Sequence, residues 1–218
     1  MAPKWISFAL VLIITSACLN MLWVLAPGLP IDNDIAQRMA YIAANQAAWQ
    51  WGWLNWMASA LALLLFCFFL LPYIPSSTAK YFGITIVAIG IAPDIAAETL
   101  YAFVLPWLAR GEFAAHPGVF GIIETIAMQL TGFFGNGAYN VGGLILNGLL
   151  FHNAKLPRWL IFLGLPSWIL GLVLSFAVAV YAMQAAQILT GAAIVWNVLW
   201  MLMIAFKIYA YPQRYKVA

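Results

Sequence analysis

Asp94 and Glu98 are the residues whose types and spacing are best suited to chemistry in this chain. They lie four residues apart in a long apolar segment, so on an α-helix they share one face, one turn apart. Pro93 removes a helical hydrogen bond and predicts a kink at this depth. Carboxylates within a membrane are costly, rare and usually functional. A pair that only fixes helix packing is the alternative, although two acids on one face gain little for packing alone.

Glu124 is the third carboxylate expected at this site. A short connection makes the third and fourth predicted helices antiparallel neighbours, and the estimated depths of the three acids overlap in the outer half of the membrane. Three carboxylates cannot all stay ionised in a dry pocket, so at least one is expected to be protonated at neutral pH. A protonated acid beside a carboxylate can move a proton onto or off carbon. Asp94, Glu98 and Glu124 are therefore the predicted catalytic residues, with the acid and the base not distinguished.

Eight further residues are predicted to contact a substrate. Asn197 would orient a carboxyl group, and the ring face of Trp196 or Trp200 would stabilise positive charge. The predicted substrate-binding residues are Tyr101, Met128, Gln129, Asn136, Asn140, Trp196, Asn197 and Trp200.

Four amides form a narrow stripe on the fourth predicted helix when successive residues are placed about 100° apart. They are Gln129, Asn136, Asn140 and Asn147. Glycines accompany them, and small residues let helices approach closely while amides hydrogen-bond across the interface. The stripe is therefore interpreted mainly as packing, with a polar path through the membrane as the alternative.

The composition predicts an integral membrane protein that forms one domain over residues 1–218. The chain is 66% hydrophobic and 7% charged, whereas a soluble domain is about 25% charged. Its formal charge of +3 is small and spread over loops, so no nucleic-acid partner is expected. Cys18 and Cys67 lie in apolar segments without paired spacing, which indicates neither a disulfide nor a zinc site.

The predicted fold is an all-α, polytopic bundle of six transmembrane helices with an outer interfacial helix. Apolar segments of about 20 residues or more can cross a membrane as helices. The predicted spans cover about 5–25, 53–72, 81–108, 118–151, 158–183 and 188–208.

Residues 31–52 are too polar to span the membrane, and their apolar residues recur at helical spacing, which is typical of an interfacial helix. This segment leads into Trp49, Trp51, Trp53 and Trp56. An aromatic belt at the membrane surface is the favoured interpretation. A lid over an outward-opening cavity is the alternative.

Basic residues predict the orientation of the chain, because cytoplasmic loops carry an excess of Lys and Arg. Seven lie on one side of the predicted topology: Lys4, Lys80, Lys155, Arg158, Lys207, Arg214 and Lys216. Arg38 and Arg110 lie on the other side. The three acidic residues of the loops, Asp32, Asp34 and Glu112, join this second group. The pattern predicts cytoplasmic N- and C-termini in a bacterial inner membrane.

Several chemistries receive no support from the sequence. Every lysine lies at a predicted helix end, so a retinal Schiff base inside the bundle is not expected. His116 and His152 lie at opposite ends of the fourth segment and cannot share a metal within one protomer. No Ser-His arrangement or phosphate loop is visible. No metal and no cofactor are predicted, and a haem held by His116 or His152 is left open.

The sequence resembles two known families in part. Residues 117–208, with Leu-Pro-Arg-Trp-Leu at 156–160 and Gly164, resemble bacterial six-helix membrane proteins of unknown function, which implies a fold only. Glu98, the run beginning at Glu124 and Asn197-x-x-Trp200 are similar in order to polar residues of sterol Δ8-Δ7 isomerases of the emopamil-binding type. That resemblance implies an acidic pair that protonates and deprotonates an alkene, with tryptophan facing a cationic intermediate. The family has histidine where this chain has Asp94, five spans, and a longer gap between its acids.

The function predicted from these residues is an intramembrane acid–base enzyme, an isomerase or cyclase, acting on an apolar lipid or isoprenoid. A proton-coupled transporter or channel would use the same acids as a proton relay. A non-catalytic subunit of a membrane assembly is the third class. The expected partners are membrane lipids and an apolar small-molecule substrate, with a homo-oligomer left open.

Overall fold

Six helices long and apolar enough to cross a membrane make up most of the described chain. The computed structural model describes residues 5–31, 33–152 and 156–210, with side chains to residue 208. The six are α1 (Ile6–Gly28), α3 (Gln46–Tyr73), α4 (Thr78–Leu108), α5 (Pro117–His152), α6 (Arg158–Ala179) and α7 (Met183–Ile208). A shorter helix, α2 (Ile35–Ala44), lies between α1 and α3. No strand occurs in the described ranges, which confirms the predicted all-α polytopic bundle.

Several of the residues that predict orientation lie outside the described residues. They are Lys4, Asp32, Lys155, Arg214 and Lys216. The structure shows an integral membrane architecture, and the side of the membrane that holds each terminus stays a prediction.

Three predicted boundaries are wrong by several residues. The second span begins at Gln46, not near residue 53, so it takes in the start of the tryptophan-rich stretch. The fifth span ends at Ala179 instead of residue 183, and α7 begins at Met183 instead of residue 188. Tyr181, between them, has a φ of 58°, a left-handed conformation that no helix can continue through.

A short helix, α2, is present within residues 31–52 as expected, and hydrogen bonds fix both of its ends. Asp34 accepts a hydrogen bond from the Gln37 backbone N–H at 2.8 Å, and the Gln37 side chain accepts one from the Asp34 N–H. This reciprocal capping box starts α2. At the other end, the Arg110 guanidinium donates to the Ala43 carbonyl, which satisfies a group in the last turn. The Tyr41 hydroxyl donates to a backbone carbonyl of α1 at 2.7 Å, so α2 is held against the bundle.

The helix α4 continues through Pro93 without a break. Its departure from regular hydrogen bonding comes about two turns later, in the π-helical stretch Leu100–Val104. Similar π-helical stretches occur in α1 at Met21–Leu25 and in α5 at Gln129–Gly135. The proline therefore does not end the helix, and the irregular turn falls beyond the acidic pair.

Close packing of α4 on α5 depends on glycines at the contact. A Cβ added to Gly142 would lie 2.6 Å from the Gly83 carbonyl oxygen, and one added to Gly90 would lie 2.6 Å from the Tyr139 backbone nitrogen. Both distances are shorter than real contacts allow. Small residues of this kind let two helix backbones approach. The antiparallel neighbours predicted from the short connection are thus in direct backbone contact.

Candidate intramembrane acidic site

Asp94 and Glu98 both lie on the buried side of α4, as their spacing predicts. The Thr131 hydroxyl donates a hydrogen bond to Asp94 Oδ1. Thr131 belongs to the π-helical stretch of α5, and Gly135 in the same stretch lies close to the Asp94 Cβ. The contact between α4 and α5 therefore places Asp94 beside a hydroxyl donor from the neighbouring helix.

Glu98 is completely buried, and no hydrogen-bond donor of the described residues reaches either of its carboxylate oxygens. Its strongest electrostatic neighbour is Asp94, one turn earlier on the same helix. Tyr139 of α5 interacts electrostatically with both acids. A buried carboxyl group without a hydrogen-bond partner costs free energy. Glu98 therefore differs from a polar residue that stabilises helix packing through hydrogen bonds.

Glu124 lies in a different environment, because it forms a buried ion pair with Arg38 of α2. Both side chains are less than a tenth exposed. Tyr101 of α4 lies within electrostatic range of the two charges. Sequence reasoning used Arg38 only as a topology marker and missed this pair. The available signal was its position in α2, next to Met39 and one turn before Ile42, on the buried side of the helix.

Two adjoining cavities lie beside Asp94 and its hydrogen-bond partner Thr131. Cavity A, of about 120 Å³, has a wall that includes Asp94, Tyr139, Asn140, Ser167, Trp168 and Asn197. Cavity B, of about 280 Å³ and mostly apolar, has a wall that includes Met21, Leu29, Trp53, Tyr101, Met128 and Thr131. Trp56, Asn136 and Tyr139 line both cavities. Asp94 thus lies in one wall, and the hydroxyl group bonded to it lies in the other. Glu98 and Glu124 line neither of these cavities.

Five of the eight predicted substrate-binding residues line a cavity. Tyr101 and Met128 line cavity B, Asn140 and Asn197 line cavity A, and Asn136 lines both. The remaining three, Gln129, Trp196 and Trp200, line neither.

Trp196 and Trp200 both fasten α7 to α6. The Trp200 indole N–H donates to the Leu160 carbonyl at 3.0 Å, and the Trp196 N–H donates to the Leu163 carbonyl at 2.7 Å. The Trp200 ring is fully buried and meets Trp168 edge-on, with centroids 5.7 Å apart. The contacts of Trp200 are therefore those of a core residue.

Three of the four amides of the stripe bond α5 to α6, as the packing interpretation expects. Asn136 donates to the Gly171 carbonyl at 2.8 Å, and Asn147 donates to the Ile161 carbonyl at 3.0 Å. Asn140 donates to the Asn136 carbonyl in the preceding turn. Gln129 donates to the Val178 carbonyl at 3.4 Å. Amide groups bonded to a neighbouring backbone hold helices together, although Asn136 and Asn140 also face the cavities.

Two of the tryptophans at the start of α3 form a buried aromatic group with Tyr101, so the prediction of a surface belt is wrong for Trp49 and Trp53. Trp53 stacks on Tyr101 with centroids 4.2 Å apart and an interplanar angle of 9°. The Trp49 indole N–H donates to the Tyr101 carbonyl at 2.6 Å. Because α3 begins at Gln46, Trp49 and Trp53 share one inward face, and Trp51 on another face is 72% exposed.

The described residues include no group of three or more His, Cys, Asp and Glu side chains placed to hold a metal ion. No family model, curated protein or solved structure matches the chain. The two resemblances noted in the sequence therefore stay predictions, and the function is argued from the site alone.

Proposed function

We propose that this protein is an intramembrane acid–base enzyme, an isomerase or cyclase, that acts on an apolar lipid or isoprenoid. Asp94 and Glu98 are its proton-transfer pair. The observation that carries the proposal is the position of Asp94 in the wall of a cavity, one helical turn from a buried carboxyl without a hydrogen-bond partner among the described residues.

The chemistry needs one neutral acid and one carboxylate. Two ionised carboxylates one turn apart, without a cation bonded to them, would repel each other in a dry environment. A single proton on the pair removes that cost. In an isomerisation Asp94, the member of the pair in a cavity wall, donates its proton to form a new C–H bond at an alkene carbon, and the Asp94 carboxylate then takes a proton from a neighbouring carbon. Glu98 lines neither cavity, so its part is to set the charge of the pair. The double bond moves, Asp94 regains its proton, and no oxidant or reductant is consumed.

Cavity B suits an apolar substrate. Its wall is mostly hydrocarbon and aromatic, and its volume of about 280 Å³ is close to the lower end of the range of roughly 300–1,000 Å³ for small-molecule sites. Thr131 lines this cavity and donates to Asp94. This hydrogen bond therefore orients the Asp94 carboxyl group next to cavity B.

Glu124 has a different part in the proposal from the one predicted by sequence. The Arg38 guanidinium already compensates its charge, and neither cavity has Glu124 in its wall. Its part is to hold α2 on the bundle, close to Tyr101 at the edge of cavity B. Trp196 and Trp200 likewise position α7 and do not contact substrate. The basic residues of the loops support cytoplasmic termini in a bacterial inner membrane.

Deuterium transfer from solvent to lipid carbon tests the proposal. The purified protein is placed in vesicles of a total bacterial lipid extract in D₂O, and the neutral lipids are examined by mass spectrometry for carbon-bound deuterium or an isomerised product. Asp94→Asn and Glu98→Gln should each reduce the rate by about 10²–10⁴-fold, the usual contribution of general acid–base groups. Glu112 is an exposed carboxylate in the connection between α4 and α5, so Glu112→Gln is the matched control.

Wild-type rates in both site variants would contradict the acid–base assignment. If Glu98→Gln instead fails to give monodisperse protein, Glu98 is needed for folding and not for proton transfer. Proton-dependent solute uptake that needs Asp94, with no lipid product, would favour the transporter alternative.

A further inference from the structure

The two ends of α7 are packed differently. Near its end, the Phe206 ring meets Phe8 of α1 edge-on, with centroids 5.0 Å apart. Trp200 and Ile204, in the same part of α7, are fully buried. Of residues 187–199, which come earlier in the helix, none is buried. The part of α7 nearer to its start is therefore packed less tightly against the bundle.

Cavity B lies along this less tightly packed part and reaches the surface of the bundle. Its wall includes Leu22 of α1 and Val195 of α7, which are 65% and 70% exposed. Gly191, one turn before Val195, is also exposed and lines the cavity. A Cβ added to Gly191 would have no atom within 4 Å, so this position has neither a side chain of its own nor a neighbour to cover the cavity. Cavity B therefore opens sideways between α1 and α7.

The opening faces one half of the membrane. At the membrane surface, the wall of cavity B includes Pro30, in the connection from α1 to α2. On α7 the wall runs from Met183 to Val195, a rise of about 18 Å at 1.5 Å per residue. The hydrocarbon core of a bilayer is about 30 Å thick, so the opening lies mainly in the leaflet on the α2 side. Deeper in the bundle the wall includes Thr131, the hydrogen-bond partner of Asp94.

The surroundings and the wall of cavity B favour a hydrocarbon chain as its occupant. A sideways opening between membrane-spanning helices meets lipid, because the bilayer core holds no water. The described residues that line cavity B include no Asp, Glu, Lys, Arg or His side chain. A charged head group would therefore lose its hydration there without gaining an ion pair. Mostly apolar side chains, among them Met21, Leu174 and Val178, form the wall instead.

We infer that cavity B takes one hydrocarbon chain of a bilayer lipid, which enters sideways between α1 and α7 from the leaflet on the α2 side. The head group of this lipid stays at the membrane surface, near Pro30. The inference rests on the proposed function for the use of the chain, and it makes the substrate a molecule drawn from one leaflet. A chain in cavity B reaches Thr131 and so comes next to the Asp94 carboxyl group.

Photocrosslinking in vesicles tests this route without turnover. The protein is reconstituted with phosphatidylethanolamine that carries a diazirine either at the end of one acyl chain or on the head group. After illumination, the adducts are mapped by peptide mass spectrometry. The chain probe should label Met128, a buried residue in the wall of cavity B, and the head-group probe should not.

A substitution in the opening tests the path of entry. Gly191→Trp places an indole ring between α1 and α7, so labelling of Met128 by the chain probe should be lost. Gly118→Trp is the matched control and should keep this labelling. Gly118 is also exposed and has no atom within 4 Å of an added Cβ, but it lines neither cavity. Val195→Phe, one turn from Gly191, provides the same test if Gly191→Trp does not give monodisperse protein.

Failure of the chain probe to label Met128 in the wild type, or equal labelling of Met128 by both probes, would overturn the inference. Undiminished labelling of Met128 in Gly191→Trp and Val195→Phe would overturn the route between α1 and α7. Labelling of Met128 by the chain probe alone, without deuterium transfer, would support the inference and contradict the proposed function. Deuterium transfer by a protein whose Met128 is not labelled would do the reverse.

Discussion

The buried ion pair between Arg38 and Glu124 gives the sharpest stability prediction. Glu124→Gln keeps the shape of the side chain and removes its charge, which leaves the Arg38 guanidinium buried without a counter-ion. Breaking one side of a buried pair costs roughly 3–5 kcal/mol. At roughly 2–4 °C per kcal/mol for a chain of this length, the Tm should fall by about 6–20 °C.

A double substitution separates the charge from the packing. Arg38→Met with Glu124→Leu removes both charges and fills similar volume, so it should recover most of the loss, since hydrophobic replacement of a buried pair is often neutral or stabilising. Thermal unfolding of wild type, Arg38→Met, Glu124→Leu and the double variant in one detergent, followed by intrinsic fluorescence and by size-exclusion recovery, completes the cycle. A coupling energy near zero would refute the reasoning, because it would mean that neither charge depends on the other in the folded state.

Three other perturbations test the topology and the packing. Cysteines introduced at Lys80 and Glu112 should be labelled by a membrane-impermeant reagent from opposite sides, and labelling from one side would contradict six spans. Gly142→Ala should lower the Tm clearly, because the added Cβ would meet the Gly83 carbonyl oxygen. Gly148→Ala is the control and should have little effect, because no atom lies within 4 Å of the added Cβ. Equal effects on the Tm would refute the close contact between α4 and α5. Asn147→Ala should cost on the order of 1 kcal/mol or less and leave deuterium transfer intact; loss of transfer without loss of stability would argue against a packing role.

The helices could be predicted from the sequence because each depends on local composition. Apolar segments of sufficient length located all six spans, and the short connection between α4 and α5 correctly predicted that they pack side by side. The error at the end of α6 arose because a single residue changes the local conformation. The positive φ of Tyr181 ends α6 early, and no pattern in the surrounding residues indicates it.

The site was only partly predictable, because its partners are distant in the chain. The spacing of Asp94 and Glu98 places both on the buried face of α4, a property of one helix. The pairing of Glu124 with Arg38 joins residues 86 positions apart, and nothing local identifies the partner. Trp49 and Trp53 were assigned to a surface belt from residue type, although their spacing of four residues fits one inward face.

The order of synthesis gives the Arg38–Glu124 pair a consequence for biogenesis. Arg38 leaves the ribosome 86 residues before Glu124, which at about 5–20 residues per second is an interval of roughly 4–17 s. During that interval α2 has no buried counter-ion to receive its guanidinium, so it stays in the aqueous interface while α3 and α4 insert. Only after α5 has entered the membrane can α2 dock beside Tyr101. The ion pair therefore makes the docking of α2 depend on insertion of the fourth span.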